Sequence, residues 1–258
     1  MDHDEVLALY DDRLRRNAPP DPGCRVERDG AVVRQVGAEH SWNGVVWSGL
    51  DEAGADAAIA AQVRHFAESG LEFEWKAYSH DRPADLGARL LAAGFTPEPD
   101  EALMIARIAD LPTDSALPEG VRLLPVTDPA GVELLMEAHA LAFGAEHPGL
   151  RERMLDQLRA GTETVSMVVA MAGDRPVSGA RMELIPGTGF AGLWGGGTAP
   201  EWRGRGIYRA LVAHRARLAA DLGYQYLQVD ASDQSRPILQ RLGFAWLSTT
   251  TPYVRGVA

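Results

Sequence analysis

The chain has 258 residues, 46% of them hydrophobic and 24% charged, with a formal net charge of −11. That length suits one large or two modest domains, and the acidity speaks against nucleic acid as a main partner. A single cysteine, Cys24, excludes an internal disulfide framework and a cysteine-built metal site. No run reaches the roughly 18 apolar residues of a membrane span. The acidic, amphipathic start MDHDEVLALYDDRLRR has no secretory core, so a cytoplasmic protein is expected.

In chain order, Asp4–Arg16 is predicted as a helix stopped by Asn17-Ala-Pro-Pro-Asp-Pro-Gly23. Short strands follow at Cys24–Arg28, Ala31–Val36 and Gly44–Trp47, with Asp29-Gly30 as a hairpin turn. Asp51–Ser69 is a helix closed by Gly70, Phe73–Tyr78 an alternating strand, Ala84–Ala93 a helix ended by Gly94, and Leu103–Ile108 a strand. The polar, proline-bounded stretch 111–118 is expected to link a domain at 1–110 to one at 119–258. Beyond it come strand Val121–Val126 and helices Asp128–Phe143 and Leu150–Ala160. Strands Thr164–Ala172, Val177–Ile185 and Phe190–Thr198 lead to helix Ile207–Leu222, then strand Gln225–Ala231, helix Ser235–Leu242 and strand Phe244–Val254. This is a mixed α/β order with most strands joined by hairpins.

The charge is uneven. Residues 1–110 hold 11 basic and 21 acidic side chains, net −10, and the remainder is net −1. Within the second part, Arg203, Arg205, Arg209, Arg215 and Arg217 face only Glu201 locally, which focuses positive potential near one turn. Arg215 and Arg217 are expected on a solvated helix face.

That turn is Arg203-Gly204-Arg205-Gly206, between a glycine-rich strand and a helix whose apolar stripe is Ile207, Leu211, Leu218 and Leu222. A helix start leaves N–H groups unpaired and carries about half a positive charge. Glycines let backbone approach a ligand closely, so a pyrophosphate is the natural guest. A P-loop would need Gly-Lys-Ser/Thr, but Ile207-Tyr208 follows Gly206. A dinucleotide fingerprint would need a third glycine where Arg209 stands.

The stretch instead resembles the acetyl-CoA signature of the GCN5-related N-acetyltransferases (GNATs), Gln/Arg-x-x-Gly-x-Gly/Ala, at Arg203, Gly206 and Tyr208, with Tyr208 departing from the small residue. Thr198-Ala-Pro-Glu-Trp-Arg-Gly-Arg-Gly-Ile207 and Arg241-Leu-Gly-Phe244 extend the resemblance, which runs from about Leu117 to the C-terminus. It implies an N-acetyltransferase with acetyl-CoA as cosubstrate and no metal. Backbone of Gly196, Gly197 and Thr198 would pair with the pantetheine arm. Backbone N–H groups of Arg203, Gly204, Arg205, Gly206, Ile207, Tyr208 and Arg209 would hold the pyrophosphate, with Ser235 near the arm.

Glu183 is the expected base, as the only acid in its strand, with Arg181 on the same face as its possible ion-pair partner. Many family members carry a tyrosine where this chain has Leu239, so Tyr253 or Tyr208 is left to act as acid. A thiol leaves as thiolate with little help. His139, His147 and His214 have no metal-ligand spacing and read as surface or packing residues.

A weak internal repeat, Tyr78–Phe95 against Val229–Phe244, points to two tandem GNAT-like units, each a mostly antiparallel central sheet flanked by helices. The first lacks the basic glycine turn. Asp51 and Glu52 stand where a pyrophosphate would go, so no cofactor is expected there. The resemblance implies direct attack by an amine of a small molecule or peptide, in a monomer or homodimer without nucleic-acid or membrane partners. The alternative is a CoA-binding regulatory protein with weak turnover.

Overall fold

A computed structural model describes residues 1–144, 149–161 and 163–256. The chain forms two compact units. Unit 1 comprises Met1–Leu103, Asp230–Asp233 and Trp246–Ala258; unit 2 comprises Met104–Val229 and Gln234–Ala245. The chain therefore changes unit inside a strand, ahead of the polar stretch 111–118, and unit 1 takes back two C-terminal pieces. The fold is mixed α/β with mainly antiparallel pairing. Among the described residues no helix is long and apolar enough to cross a membrane.

Unit 1 begins with helix α1 (His3–Tyr10), capped by Asp2 and continued by a wider π-type turn, Asp11–Arg16. Strands β1 (Arg25–Asp29), β2 (Val32–Val36) and β3 (Gly44–Ser48) run antiparallel in sequence. Helix α2 (Ala55–Glu68), strand β4 (Phe73–Tyr78), helix α3 (Leu86–Ala92) and the two-residue strand β5 (Thr96–Pro97) follow. Strand β6 (Glu101–Arg107) carries the chain across into unit 2.

The α2 stripe Ile59 and Phe66 packs with Phe73, Trp75, Leu86, Leu90 and Phe95 in the core of unit 1. Alternation along β4 therefore sends Glu74, Lys76 and Tyr78 to the other face. There Lys76 is ion-paired with Asp230, and the Tyr10 and Tyr78 hydroxyls bond at 2.8 Å. Burial and the Asp230 charge push the Tyr10 phenol up to about 12.

Strands β3 and β4 pair in parallel only at Gly44↔Glu74 and Val45↔Trp75. Just past that point the Arg15 Nε donates to the Val46 carbonyl at 3.2 Å. The Arg15 guanidinium lies 3.9 Å over the Tyr78 ring and binds Asp11 at 2.7 Å and Asp81 at 2.6 Å. The opening between these strands is thus filled by the chain's own arginine.

The start of α2 is likewise satisfied from within. Helix geometry begins at Ala55, later than Asp51, because the Asp51 carboxylate accepts the Gly54 N–H at 2.7 Å. A side-chain carboxylate holds the place of an external anion.

In unit 2, strand β7 (Val121–Pro125) leads to α4 (Pro129–Phe143) and α5 (Leu150–Ala160). The antiparallel strands β8 (Val165–Ala172), β9 (Arg175–Leu184) and β10 (Phe190–Thr198) follow. Helix α6 (Ile207–Asp221) joins β10 to β11 (Tyr226–Ala231), and α7 (Arg236–Leu242) precedes β12 (Ala245–Arg255), whose residues from Trp246 lie in unit 1 beside β4. The sheet of unit 2 runs β7-β8-β9-β10-β11. On one face α4 and α5 bury Val132, Leu135, Ala138 and Met154 against Val165, Met167, Val169 and Met171. On the other, α6 buries Ile207 and Leu211 against Val168, Ala170 and Ala180.

Burial, then the charges of Asp230 and Glu74, raise the Glu101 carboxyl to about 7 against the partial relief of Lys76. The native state therefore holds a proton that the unfolded chain releases, and stability falls as pH rises from about 4.5 to about 7. Glu101→Gln removes this loss. The melting temperature of the variant relative to the parent is expected to rise by about 3 °C between pH 5 and pH 8, roughly 1 kcal/mol at this chain length, as read by scanning calorimetry.

Candidate functional site

The site is set by where β10 leaves β11. The two strands pair in parallel at Phe190↔Tyr226, Ala191↔Leu227 and Gly192↔Gln228, and no further. Beyond Gly192, β10 continues to Thr198 with its β11 side open. An extended chain carrying amides fits such an edge as an added strand.

On its other side β10 stays on β9 but is irregular. Ladder partners run to Trp194↔Arg181 and resume at Gly197↔Gly179. Gly195, at φ +58°, and Gly196 lie between them without ladder partners. A bulge of this kind strips a carbonyl of its bond, and Arg215 supplies the missing donor, its Nη1 reaching the Arg181 carbonyl at 3.0 Å. Its Nε also donates to the Leu211 carbonyl at 3.1 Å.

Arg215 is 1% exposed, which corrects the solvated face expected for it; Arg217 is exposed, with Asp114 at 3.8 Å. Burial lowers the Arg215 pKa to about 10, opposed by Tyr208. Tyr208 itself is packed under the bulge: a methyl group on Gly196 would stand 3.0 Å from its Cε2. Burial raises its phenol above the ordinary range.

Gly197 is glycine for a steric reason. A methyl group there would lie 2.6 Å from Phe143 Cε2 and 2.7 Å from Ala142 Cβ at the end of α4. Ser178 pins the same place, donating to the Gly197 carbonyl at 2.6 Å and sharing a bond with the Thr198 hydroxyl at 2.9 Å.

The corner before α6 has Gly204 at φ +74° and Gly206 at φ +88°, left-handed conformations that only glycine takes readily. The first N–H groups of α6, from Ile207 onward, point out of the helix start, and turns of this hand aim backbone N–H groups at an anion. Arg203, Arg205 and Arg209 are exposed.

The three arginines are not equivalent. Arg203 donates from Nε to the Thr198 carbonyl at 3.0 Å and from Nη2 to the Ala142 carbonyl at 2.9 Å, and its own N–H bonds the Pro200 carbonyl at 3.2 Å. It clamps the corner. Arg205 stacks 4.7 Å over Trp202, and neither it nor Arg209 forms an ion pair among the described residues. Glu201, next in the chain to Trp202, is paired with Arg175 at 2.6 Å.

Glu183 faces Gly192 in register. Its Oε1 accepts from Gln157 Nε2 at 2.9 Å and Arg181 Nε at 3.4 Å, so Arg181 is its partner. Ser235 sits half-buried ahead of α7, its carbonyl accepting the N–H groups of Ile238 and Leu239. Leu239 is fully buried in the hydrophobic core. Tyr253 belongs to unit 1, paired opposite Trp75 and with its hydroxyl against Gly87.

His139 packs on Phe143 with centroids 4.5 Å apart, and His214 is half-buried on α6; His147 lies outside the described residues. Among the described residues no group of His, Cys, Asp or Glu could hold a metal ion.

Sequence reasoning missed Gln157, Arg215 and Gln228. Arg215 did leave a signal: it continues the Ile207, Leu211 spacing of the buried stripe. Exchange of Arg215 for Met is expected to free the Arg181 carbonyl and raise deuterium uptake of peptides covering 193–198 at least fivefold, with the rest of the β8–β9 hairpin unchanged.

Residues 132–244 match the family model described as the acetyltransferase (GNAT) family. No curated protein matches the sequence. Solved structures share the fold. A GCN5-related N-acetyltransferase from Kribbella flavida aligns at TM-score 0.69 and 18% identity, over 91% of this chain and 90% of its own. A tandem GNAT protein from the clavulanic acid biosynthesis pathway aligns at 0.64 and 13%, over 100% and 96%. A GCN5-related N-acetyltransferase from Sphaerobacter thermophilus aligns at 0.61 and 16%, over 98% and 85%.

Proposed function

We propose that this chain, whose residues 132–244 match the GNAT acetyltransferase family model, transfers the acetyl group of acetyl-CoA to an amine by direct attack. The observation that carries the reading is the parting of β10 from β11 beyond Gly192, ending at a left-handed glycine corner with two arginines, Arg205 and Arg209, that form no ion pair among the described residues. Arg205, Arg209 and the first N–H groups of α6 hold the pyrophosphate. The open edge of β10 from Thr198 back toward Gly192 pairs with the pantetheine amides, bringing the thioester toward the narrow end of the opening. A β10 amide beside the bulge polarises the thioester carbonyl.

Glu183, placed by register opposite Gly192, takes the amine proton. The thiol leaving group, with an ordinary pKa near 8.5, needs little protonation, which suits a site with Leu239 where the family often has tyrosine. The functional domain assigned here is 119–258, with 1–110 as a unit whose own cofactor place is closed by Arg15 and Asp51.

Leu239 also supports a second reading, a CoA-binding regulatory protein that binds the cofactor but turns over weakly. The two differ in whether acetylated amine accumulates.

Reversing charge at Arg205 and Arg209 together is expected to weaken CoA binding by about 2.7 kcal/mol, roughly 100-fold, in calorimetric titration. No change would overturn the pyrophosphate assignment. Glu183→Gln is expected to keep CoA affinity, lower kcat by about 100-fold or more, and remove the acidic limb of the pH–rate profile.

A further inference from the structure

Strand β12 stays paired with β4 as far as Thr250↔Tyr78. One step further, the Ser79 N–H donates to the Thr249 carbonyl at 2.8 Å, but the Thr249 N–H turns to the Ser79 hydroxyl at 3.3 Å. The chain folds back here, with the Asp81 N–H on the Tyr78 carbonyl at 2.9 Å. A side-chain oxygen thus stands in for main chain at the end of the ladder, and other groups of unit 1 extend from it. Ser248 Oγ lies 3.1 Å from Ser79 Oγ and 2.7 Å from His80 Nδ1. His80 Nε2 in turn lies 2.9 Å from an Asp11 carboxylate oxygen.

The direction of each proton along this chain is set from the Asp11 end. Against the opposing effect of burial, the His80 bond and the Arg15 charge hold the Asp11 carboxyl below its ordinary range. A carboxylate only accepts, so His80 Nε2 carries the hydrogen and Nδ1 is the acceptor. Arg15 Nη1 approaches the same Nε2 at 3.3 Å but is directed at the other Asp11 oxygen at 2.7 Å. Ser248 has one hydrogen and gives it to Nδ1, so the hydrogen between the two hydroxyls comes from Ser79. Ser248 is 6% exposed, whereas Ser79 is exposed. The relay therefore ends on one hydroxyl open to solvent, whose oxygen already accepts a main-chain N–H.

We propose that Ser79 is an acyl-accepting nucleophile, activated through Ser248 by the His80–Asp11 pair, and that it takes short apolar acyl groups from carboxylic esters. The inference concerns unit 1 alone and stands apart from the acetyl-transfer reading. A hydroxyl is a weak nucleophile until a base takes its proton, and a base oriented by a third group does so best. Ser79 Oγ bonds the acyl carbon as its proton moves to Ser248 Oγ and the Ser248 proton moves to His80 Nδ1. The Thr249 N–H favours negative charge on the attacking oxygen. The ester C–O bond then breaks, its electron pair leaves with the alcohol oxygen, and the proton returns from His80 through Ser248 to that oxygen. The products are acyl-Ser79 and an alcohol. Trp246 lies on the same face of β12 as Ser248 and is 47% exposed. Its indole N–H is fixed on the Ser248 carbonyl at 2.7 Å, so the ring offers the acyl chain an apolar wall.

The test mixes the full chain with p-nitrophenyl acetate or p-nitrophenyl butyrate and follows both the released phenolate and the acylated peptides by mass. A burst of one equivalent of phenolate is expected, with the acyl group first on Ser79 and the butyrate faster. Ser79→Ala should abolish the burst. Ser248→Ala and His80→Gln should slow it about 100-fold, the size of a lost general base. Ser248→Thr keeps the hydroxyl and should retain the parent rate. Trp246→Ala should remove the preference for butyrate. An acyl group first on another residue, a burst that survives in Ser79→Ala, or an unchanged rate in His80→Gln overturns the proposal.

If Ser248→Ala does not fold, the His80→Gln and Ser248→Thr pair decides, the first expected slow and the second fast. A parent chain with an intact melting transition and no burst overturns the proposal whatever the variants do. A parent that prefers acetate, or a butyrate preference that survives Trp246→Ala, overturns the apolar-acyl assignment.

Discussion

Two parallel strands that part company expose N–H and C=O groups on both inner edges, and buried backbone polar groups must find partners. That constraint organises this protein. β10 and β11 separate after Gly192 and Gln228, and β10 runs on from there to Thr198 without a ladder partner on its β11 side among the described residues. The bulge, the glycine corner and the helix that follows all lie on the continuation of that one strand.

The same constraint arises in unit 1 and is met differently. β3 and β4 separate after Val45 and Trp75, and the Arg15 side chain enters, bonded to the Val46 carbonyl and held by Asp11 and Asp81. Asp51 does for the start of α2 what a phosphate does for a helix start elsewhere. Unit 1 thus satisfies the Val46 carbonyl at its parted strands and the Gly54 N–H ahead of α2 with its own side chains.

Much of this was legible in the residues. Periodicity placed nearly every helix and strand, because apolar spacing and glycine or proline stops agreed along the chain. The corner 203–206 was legible because only glycines and a helix start produce that pattern. Arg215 was not: an arginine on a helix reads as solvated unless the bulge whose carbonyl it serves is known, and the bulge depends on register between β9 and β10. Gln157 and Gln228 were hidden for the same reason, since a glutamine acquires meaning from what it faces. That the C-terminal strand returns to unit 1 and sets Tyr253 opposite Trp75 was equally hidden, since strand pairing is not written in the spacing of one strand.

Arg203 is the signature arginine, yet its guanidinium is committed to the Thr198 and Ala142 carbonyls. Its charge is therefore bound to the scaffold, whereas Arg205 and Arg209 are exposed and form no ion pair among the described residues. On the proposed pyrophosphate reading, ionic strength acts on affinity mainly through two side chains, and the third behaves as a hinge pin joining the end of α4 to the end of β10.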